Sequence, residues 1–118
     1  MELGLKGKVA IVTGGSEGIG KAVALTLANE GVKVAICARR PEVLESAAVE
    51  IRSLSGGEVF AHPVDVTKRK EIETFVSLVA DRFGRIDILV NNAGRSAAKK
   101  FEDVTEAEWE EDLDLVCA

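Results

Sequence analysis

The sequence predicts an α/β fold, a doubly wound parallel sheet with helices on both faces. Three observations carry that expectation. Short runs rich in Val and Ile, at residues 9–12, 32–38, 59–64 and 86–90, alternate with longer segments of helical periodicity. The runs are largely apolar on successive residues, as expected of strands buried on both faces. Each intervening stretch is long enough for a right-handed βαβ crossover.

The elements follow in order. Val9–Val12 is the first strand, and Thr13-Gly14-Gly15-Ser16-Glu17-Gly18-Ile19-Gly20 follows it directly. Lys21 to Glu30 then reads as a helix, with Ile19, Ala22, Val23 and Leu27 on one apolar face and Gly31 as its C-cap. Val32–Ala38 is the second strand, with Arg39 and Arg40 at its carboxyl end. Pro41 opens a second helix, where its missing N–H costs nothing. Leu44, Ala47, Ala48, Ile51 and Leu54 give that helix its apolar face, and Gly56-Gly57 ends it. Val59–Val64 is the third strand. Pro63 cannot donate to a ladder, which assigns this strand to a sheet edge.

Asp65-Val66-Thr67 turns into a third helix with Thr67 as N-cap. Its stripe is Ile72, Phe75, Val76, Val79, Ala80 and Phe83, and Gly84 stops it. Ile86–Val90 is the fourth strand, ending in Asn91-Asn92-Ala93-Gly94. A loop of small residues is expected next. Thr105-Glu106-Ala107-Glu108 then reads as a capping box for a fourth helix, with Trp109, Leu113 and Val116 inward and the chain stopping inside it. A strand order of 3-2-1-4 puts Pro63 at the edge and the switch point between strands one and four, beside the glycine loop. It also leaves the far edge of Ile86–Val90 open, a template for a partner strand.

The 118 residues fit one domain, 47% hydrophobic and 30% charged, which is a globular composition. Met1–Lys6 has no signal-peptide apolar core and no apolar run approaches a membrane span, so a soluble, cytoplasmic protein is expected. Cys37 and Cys117 are too few for a disulfide framework, and Cys37 reads as a buried small hydrophobe. Net charge is −5, but eight of the 20 acidic residues and none of the 15 basic ones lie between 102 and 114. The rest of the chain therefore carries +3, which suits an anionic cofactor. No basic run interleaved with aromatics points to nucleic acid, and no His/Cys cluster has metal-ligand spacing. The acidic stretch reads as a solvated helix face, His62 as solvent-facing on an edge strand, and Lys99-Lys100 as a solvated pair in the loop after the fourth strand.

Strand, glycine loop and helix in succession form a phosphate site. Glycines let the backbone approach an anion, and the unpaired N–H groups and dipole of the helix start favour it. Gly14, Gly18 and Gly20 give G-x-x-x-G-x-G rather than G-x-G-x-x-G. Gly15 to Lys21 also fits the front of a nucleotide-hydrolase loop, G-x-x-x-x-G-K, but the next residue is Ala22 where a Ser or Thr would hold magnesium.

Thr13-Gly14-x-x-x-Gly18-x-Gly20, Arg39, Asp65-Val66 and Asn91-Asn92-Ala93-Gly94, in this order and at strand ends, resemble the classical short-chain dehydrogenase/reductase family. The resemblance covers essentially the whole chain, but only the first, cofactor-binding half of such a member, a Rossmann-type domain truncated inside its fourth helix. It implies that Gly14, Gly18 and Gly20 shape the pyrophosphate turn, with Ser16 and Ile19 adding contacts. It implies that Asp65 hydrogen-bonds the adenine, that Val66 lies against it, and that Asn92, Ala93 and Gly94 line the ribose and nicotinamide side. Ala38 stands where the family's NAD enzymes carry an acid, and Arg39 follows. Arg39, assisted by Arg40, suits the extra phosphate of NADP through bidentate bonds. Glu17 opposes this, since NADP-preferring relatives often carry arginine there. Arg39 outweighs it, and NADP is favoured over NAD.

The family's proton-donating tyrosine, with its lysine and serine, lies beyond this sequence, which holds no tyrosine. The family's helix asparagine falls at Val116, so no catalytic residue is assigned. Two readings result. In one, the chain is the cofactor-binding half of an NADP(H)-dependent oxidoreductase, a homo-oligomer at full length, acting on a small carbonyl or alcohol substrate. In the other, it is a catalytically inactive nucleotide-binding module that pairs with another chain through the open edge.

Overall fold

The structure, a computed structural model, describes residues 4–108 and 114–117. Its elements are β1 (Val9–Thr13), α1 (Gly18–Asn29), β2 (Lys33–Ala38), α2 (Pro41–Ser55), β3 (Val59–Pro63), α3 (Arg69–Phe83), β4 (Ile88–Asn91), α4 (Arg95–Glu108) and β5 (Asp114–Cys117). All strand pairs are parallel, in the order β3-β2-β1-β4-β5. The expected order 3-2-1-4 is present, with β3 and its Pro63 at the edge.

The pleat divides β1 between two cores. Ala10 and Val12 pack with Val34, Ile36, Ile88 and Val90 against α1 and α2. Val9 and Ile11 pack with Ala35, Cys37 and Leu89 against Ile72, Phe75, Val76 and Val79 of α3 and Phe101 and Val104 of α4. Both faces of the sheet are thus covered, which is why the strands read as continuous apolar runs. Pro41 starts α2, and Gly56 and Gly84 end α2 and α3 at positive φ, as the sequence indicates.

Several elements differ from expectation. In α1 the buried residues are Gly20, Ala24 and Ala28, whereas Ile19 is 63% exposed and Val23 and Leu27 are half-buried. Small residues four apart let the helix lie close on the sheet, with Val23 and Leu27 packed at the margin of the core and Ile19 turned outward. Leu54, near the end of α2, is exposed. Thr67 is not the N-cap of α3. Lys68 is, and Thr67 sits in the turn before it. His62 is half-buried, its ring stacked on Phe60 and Phe75 at centroid distances of 6.2 and 6.3 Å.

The largest correction follows Gly94. The expected loop is the helix α4, starting at Arg95, and Thr105 is buried inside it. Its hydroxyl donates back to the Phe101 and Glu102 carbonyls at 2.8 and 3.1 Å, so it caps nothing. Ala97, Ala98, Phe101 and Val104 form the stripe that seats α4. Lys99 and Lys100 lie on this helix, Lys99 paired with Asp103 at 3.8 Å. Val116, expected on a helix, lies in β5 opposite Val90. β5 therefore covers the edge of β4 that the sequence left open, and the ground for a partner strand there is removed. Trp109 and Leu113 lie outside the described residues. Of the acidic stretch, Glu102 and Asp103 are half-buried and Glu106 is exposed.

Candidate nucleotide site

The carboxyl ends of β1, β2 and β4 converge on one edge of the sheet, and the Gly14–Glu17 turn lies across them. The Gly14 N–H donates to the Cys37 carbonyl at 2.9 Å, and Asn92 Nδ2 donates to the Gly14 carbonyl at 3.4 Å. Gly20 backs directly onto this turn. A Cβ there would strike the Gly14 carbonyl and stand 3.0 Å from Asn92 Nδ2. Gly18 has open space around it and is needed for its φ of 56°. The result is a bare backbone turn leading into the 12 residues of α1, whose first N–H groups lack intrahelical partners.

Thr13 ties β1 to β4. Its hydroxyl donates to Asn91 Oδ1 at 3.0 Å and accepts the Asn92 N–H at 2.9 Å. Asn91 Nδ2 donates to the Gly94 carbonyl at 2.6 Å, which fixes the start of α4. Thr13 and Asn91 are buried polar residues at the tips of otherwise apolar strands. That contrast is a sequence signal, and it identifies Thr13 and Asn91 as braces of the seam.

A cavity of about 200 Å³ opens beside this seam, lined by Gly14, Cys37, Ala38, Arg39, Val64, Asp65, Val66, Thr67 and Ala93. Arg39 reaches over it from the end of β2, its side chain 80% exposed and Nη2 3.9 Å from Asp65 Oδ2. The Asp65 carboxyl is held below its ordinary range, first by the Thr67 hydroxyl and N–H and then by the charges of Arg39 and Lys68. Burial opposes them. The Cys37 thiol is pushed up to about 12 by burial, so it is a wall of the cavity and not a nucleophile.

A second cleft, of about 400 Å³, lies between the glycine turn and the start of α2. Ser16, Glu17 and Lys21 line one side and Glu42, Val43 and Ser46 the other. Glu17 is the N-cap residue of α1 but makes no side-chain cap bond, and Lys21 is paired with Glu50. The structure thus brings Gly14, Arg39, Asp65, Val66 and Ala93 into one cavity and places Ser16 and Glu17 in the neighbouring cleft. Asn92 and Gly94 join through the seam hydrogen bonds. Gly18 and Ile19 form the exposed start of α1. Arg40 is exposed at the N-cap of α2 and lines neither space.

The short chain dehydrogenase family matches residues 8–116. This chain belongs to that family. Among its relatives, an oxidoreductase of Listeria monocytogenes is 42% identical over 111 residues, which is 94% of this chain and 44% of the relative. L-Sorbose reductase from Gluconobacter frateurii, solved with NADPH and L-sorbose, superposes with a TM-score of 0.85 at 32% identity, over 91% of this chain and 49% of that one. NAD⁺-bound xylitol dehydrogenase superposes with a TM-score of 0.88 at 28% identity, over 96% and 53%. The chain therefore spans about half the length of the short-chain dehydrogenases it matches. Among the described residues no helix is long and apolar enough to cross a membrane, and no group of three or more metal-ligating side chains occurs.

Proposed function

We propose that this chain is the NADP(H)-binding half of an oxidoreductase acting on a small carbonyl or alcohol substrate. The observation that carries the choice of NADP is Arg39. Its guanidinium stands exposed at the mouth of the cavity, and the residue before it, Ala38, offers no acid to a ribose hydroxyl. The remaining residues fit the group. Gly20 lets the start of α1 back directly onto the Gly14 turn, where a Cβ would strike the Gly14 carbonyl, so bare backbone stands at the helix start. In this reading Gly14, Ser16, Glu17, Gly18, Ile19 and Gly20 surround the diphosphate, Arg39 and Arg40 take the 2′-phosphate, and Asp65 and Val66 take the adenine. Asn92, Ala93 and Gly94 flank the nicotinamide side. The cofactor, when bound, supplies or accepts a hydride, and the chain's own residues bind and orient it.

Dissociation constants for NADPH and NADH, read from quenching of protein or nucleotide fluorescence, test this. NADPH should bind more tightly. Arg39→Ala should weaken NADPH about 10- to 100-fold, the value of a charge-assisted hydrogen-bond set, and leave NADH unchanged. Tighter NADH binding by the unaltered protein refutes the assignment. NADPH turnover with a carbonyl substrate by the whole protein tests the oxidoreductase part of this reading. A cytoplasmic location belongs to the same proposal. Assembly of the whole protein into a homo-oligomer, also part of it, is checked by light scattering.

A further inference from the structure

We infer that Thr67 is a positioning residue for adenine recognition, fixing one oxygen of Asp65 so that the other is presented to the cavity. The inference rests on the proposed reading of that cavity as the adenine end of a nucleotide site. The two carboxylate oxygens have separate surroundings. Oδ1 accepts from the Thr67 hydroxyl at 2.6 Å and from the Thr67 N–H at 3.0 Å. Oδ2 takes no hydrogen bond among the described residues, and Arg39 Nη2 stands 3.9 Å away. The terminal torsion of an aspartate is broad and roughly two-fold, so an unrestrained carboxylate would share its oxygens between these roles. Two hydrogen bonds to Oδ1 remove that freedom. What remains is an ionised acceptor on the cavity wall, suited to an exocyclic amine such as that of adenine.

The turn that carries Thr67 is itself clamped. The Asp65 N–H donates to Glu71 Oε1 of α3 at 2.9 Å, and the Lys68 N–H donates to the Asp65 carbonyl at 3.0 Å. Lys100 Nζ of α4 donates to the Thr67 carbonyl at 3.2 Å. The charged groups around Asp65 are therefore Arg39 from the end of β2, Lys68 from the turn, Glu71 from α3 and, through Thr67, Lys100 from α4. Thr67 acts on the carboxylate in two ways. It holds the orientation, and its hydroxyl keeps the group ionised to lower pH. The hydroxyl bond comes in addition to the N–H bond that closes the turn, and it is the one that Thr67→Val removes.

The test compares two ligands by calorimetry: adenosine 2′,5′-bisphosphate, and reduced nicotinamide mononucleotide, which has no adenine. Thr67→Val should weaken the bisphosphate about fivefold or more and leave the mononucleotide unchanged, while Thr67→Ser should restore the bisphosphate to within about twofold. Asp65→Asn retains an oxygen for the turn but replaces the free acceptor with a donor, so it should lose the bisphosphate selectively even where Thr67→Val folds poorly. In the ligand-free protein, the carboxyl-carbon resonance of Asp65 should titrate at higher pH in Thr67→Val than in the parent. Unchanged bisphosphate binding with an unchanged Asp65 titration overturns the inference and leaves the nucleotide reading standing. Equal weakening of both ligands also overturns it, since that marks a purely structural turn. A parent protein that binds neither ligand overturns the nucleotide reading itself.

Discussion

Thr13→Val removes one oxygen from the seam between β1 and β4 and changes almost nothing in volume. The hydroxyl it deletes is the donor to Asn91 Oδ1 and the acceptor of the Asn92 N–H, at 3.0 and 2.9 Å. Thr13 is fully buried and Asn91 is 4% exposed, so water cannot readily replace the lost partner of Oδ1. Leaving a buried acceptor unsatisfied costs about 1–3 kcal/mol, and the half-buried Asn92 N–H adds about 0.5–1.5 kcal/mol. The valine methyl regains little, because the site offers polar neighbours, and Thr to Val is no isosteric exchange in this respect. A net loss of about 2–4 kcal/mol is expected. Urea unfolding followed by circular dichroism measures it, as a midpoint lowered by roughly 1–2 M at unchanged slope. Nucleotide binding should fall too, because Asn92 also holds the Gly14 carbonyl. A loss below about 0.5 kcal/mol would refute the reasoning, since it would mean that the seam is wet or that Asn91 finds another donor.

Two further outcomes follow from the same geometry. Gly20→Ala should lower the melting temperature and abolish NADPH binding, although alanine in a helix is ordinarily worth about 1 kcal/mol over glycine; the new Cβ meets the Gly14 carbonyl, and a melting temperature that rises would contradict this. Asp87 is pushed up by burial, but Arg85, bonded at 2.8 and 2.7 Å, and the Val9 N–H at 2.9 Å more than offset this, so its carboxyl lies below the ordinary range. A carboxyl whose folded value is depressed contributes stability above its unfolded value, near 3.9, and loses it as pH falls through the folded one. Asp87→Asn should therefore lower the urea midpoint at pH 7 by more than at pH 3, and an equal difference at both would count against the assignment.

The sheet was legible because its signals are redundant. Each of the first four strands is a largely apolar run, and Pro63 alone assigns β3 to the edge. Helix starts were less legible where one local pattern competed with another. Thr105-x-x-Glu108 looks like a capping box when read by itself, yet the Ala97, Ala98, Phe101, Val104 stripe upstream already marks a helix that passes through it. The stripe prevails because it buries Phe101 against Phe75, with ring centroids 6.3 Å apart, while the Thr105 hydroxyl is satisfied within the helix. The face of α1 is legible only in part. Hydrophobicity selects Ile19, Val23 and Leu27, and Val23 and Leu27 do pack at the margin of the core, whereas Ile19 is exposed. The line nearest the sheet is Gly20, Ala24 and Ala28, because a helix that follows a tight glycine turn leaves room there only for small residues. Thr67 could not be separated from an N-cap in sequence, since a cap and an Asp65-directed turn use the same residue one position apart.

The seam and the cavity share one organising cause. In a parallel sheet each strand ends at the same edge, so the first one or two residues past each strand are carried to a common line. Here those positions hold unlike chemistry: bare backbone at Gly14, a cation at Arg39, a carboxylate at Asp65 and an amide at Asn92. The strands behind them bury Ile11, Ile36 and Leu89 completely and leave little latitude for change. Specificity can therefore vary only at the rim, and there each group is restrained by a neighbour one strand away. Thr13 is bonded to Asn91 and Asn92, Gly14 to Cys37, and Asp65 faces Arg39. A substitution at one rim position consequently reaches its neighbour. Arg39→Ala, for example, removes the positive charge facing Asp65 Oδ2, which lets the Asp65 titration drift upward even in the absence of nucleotide.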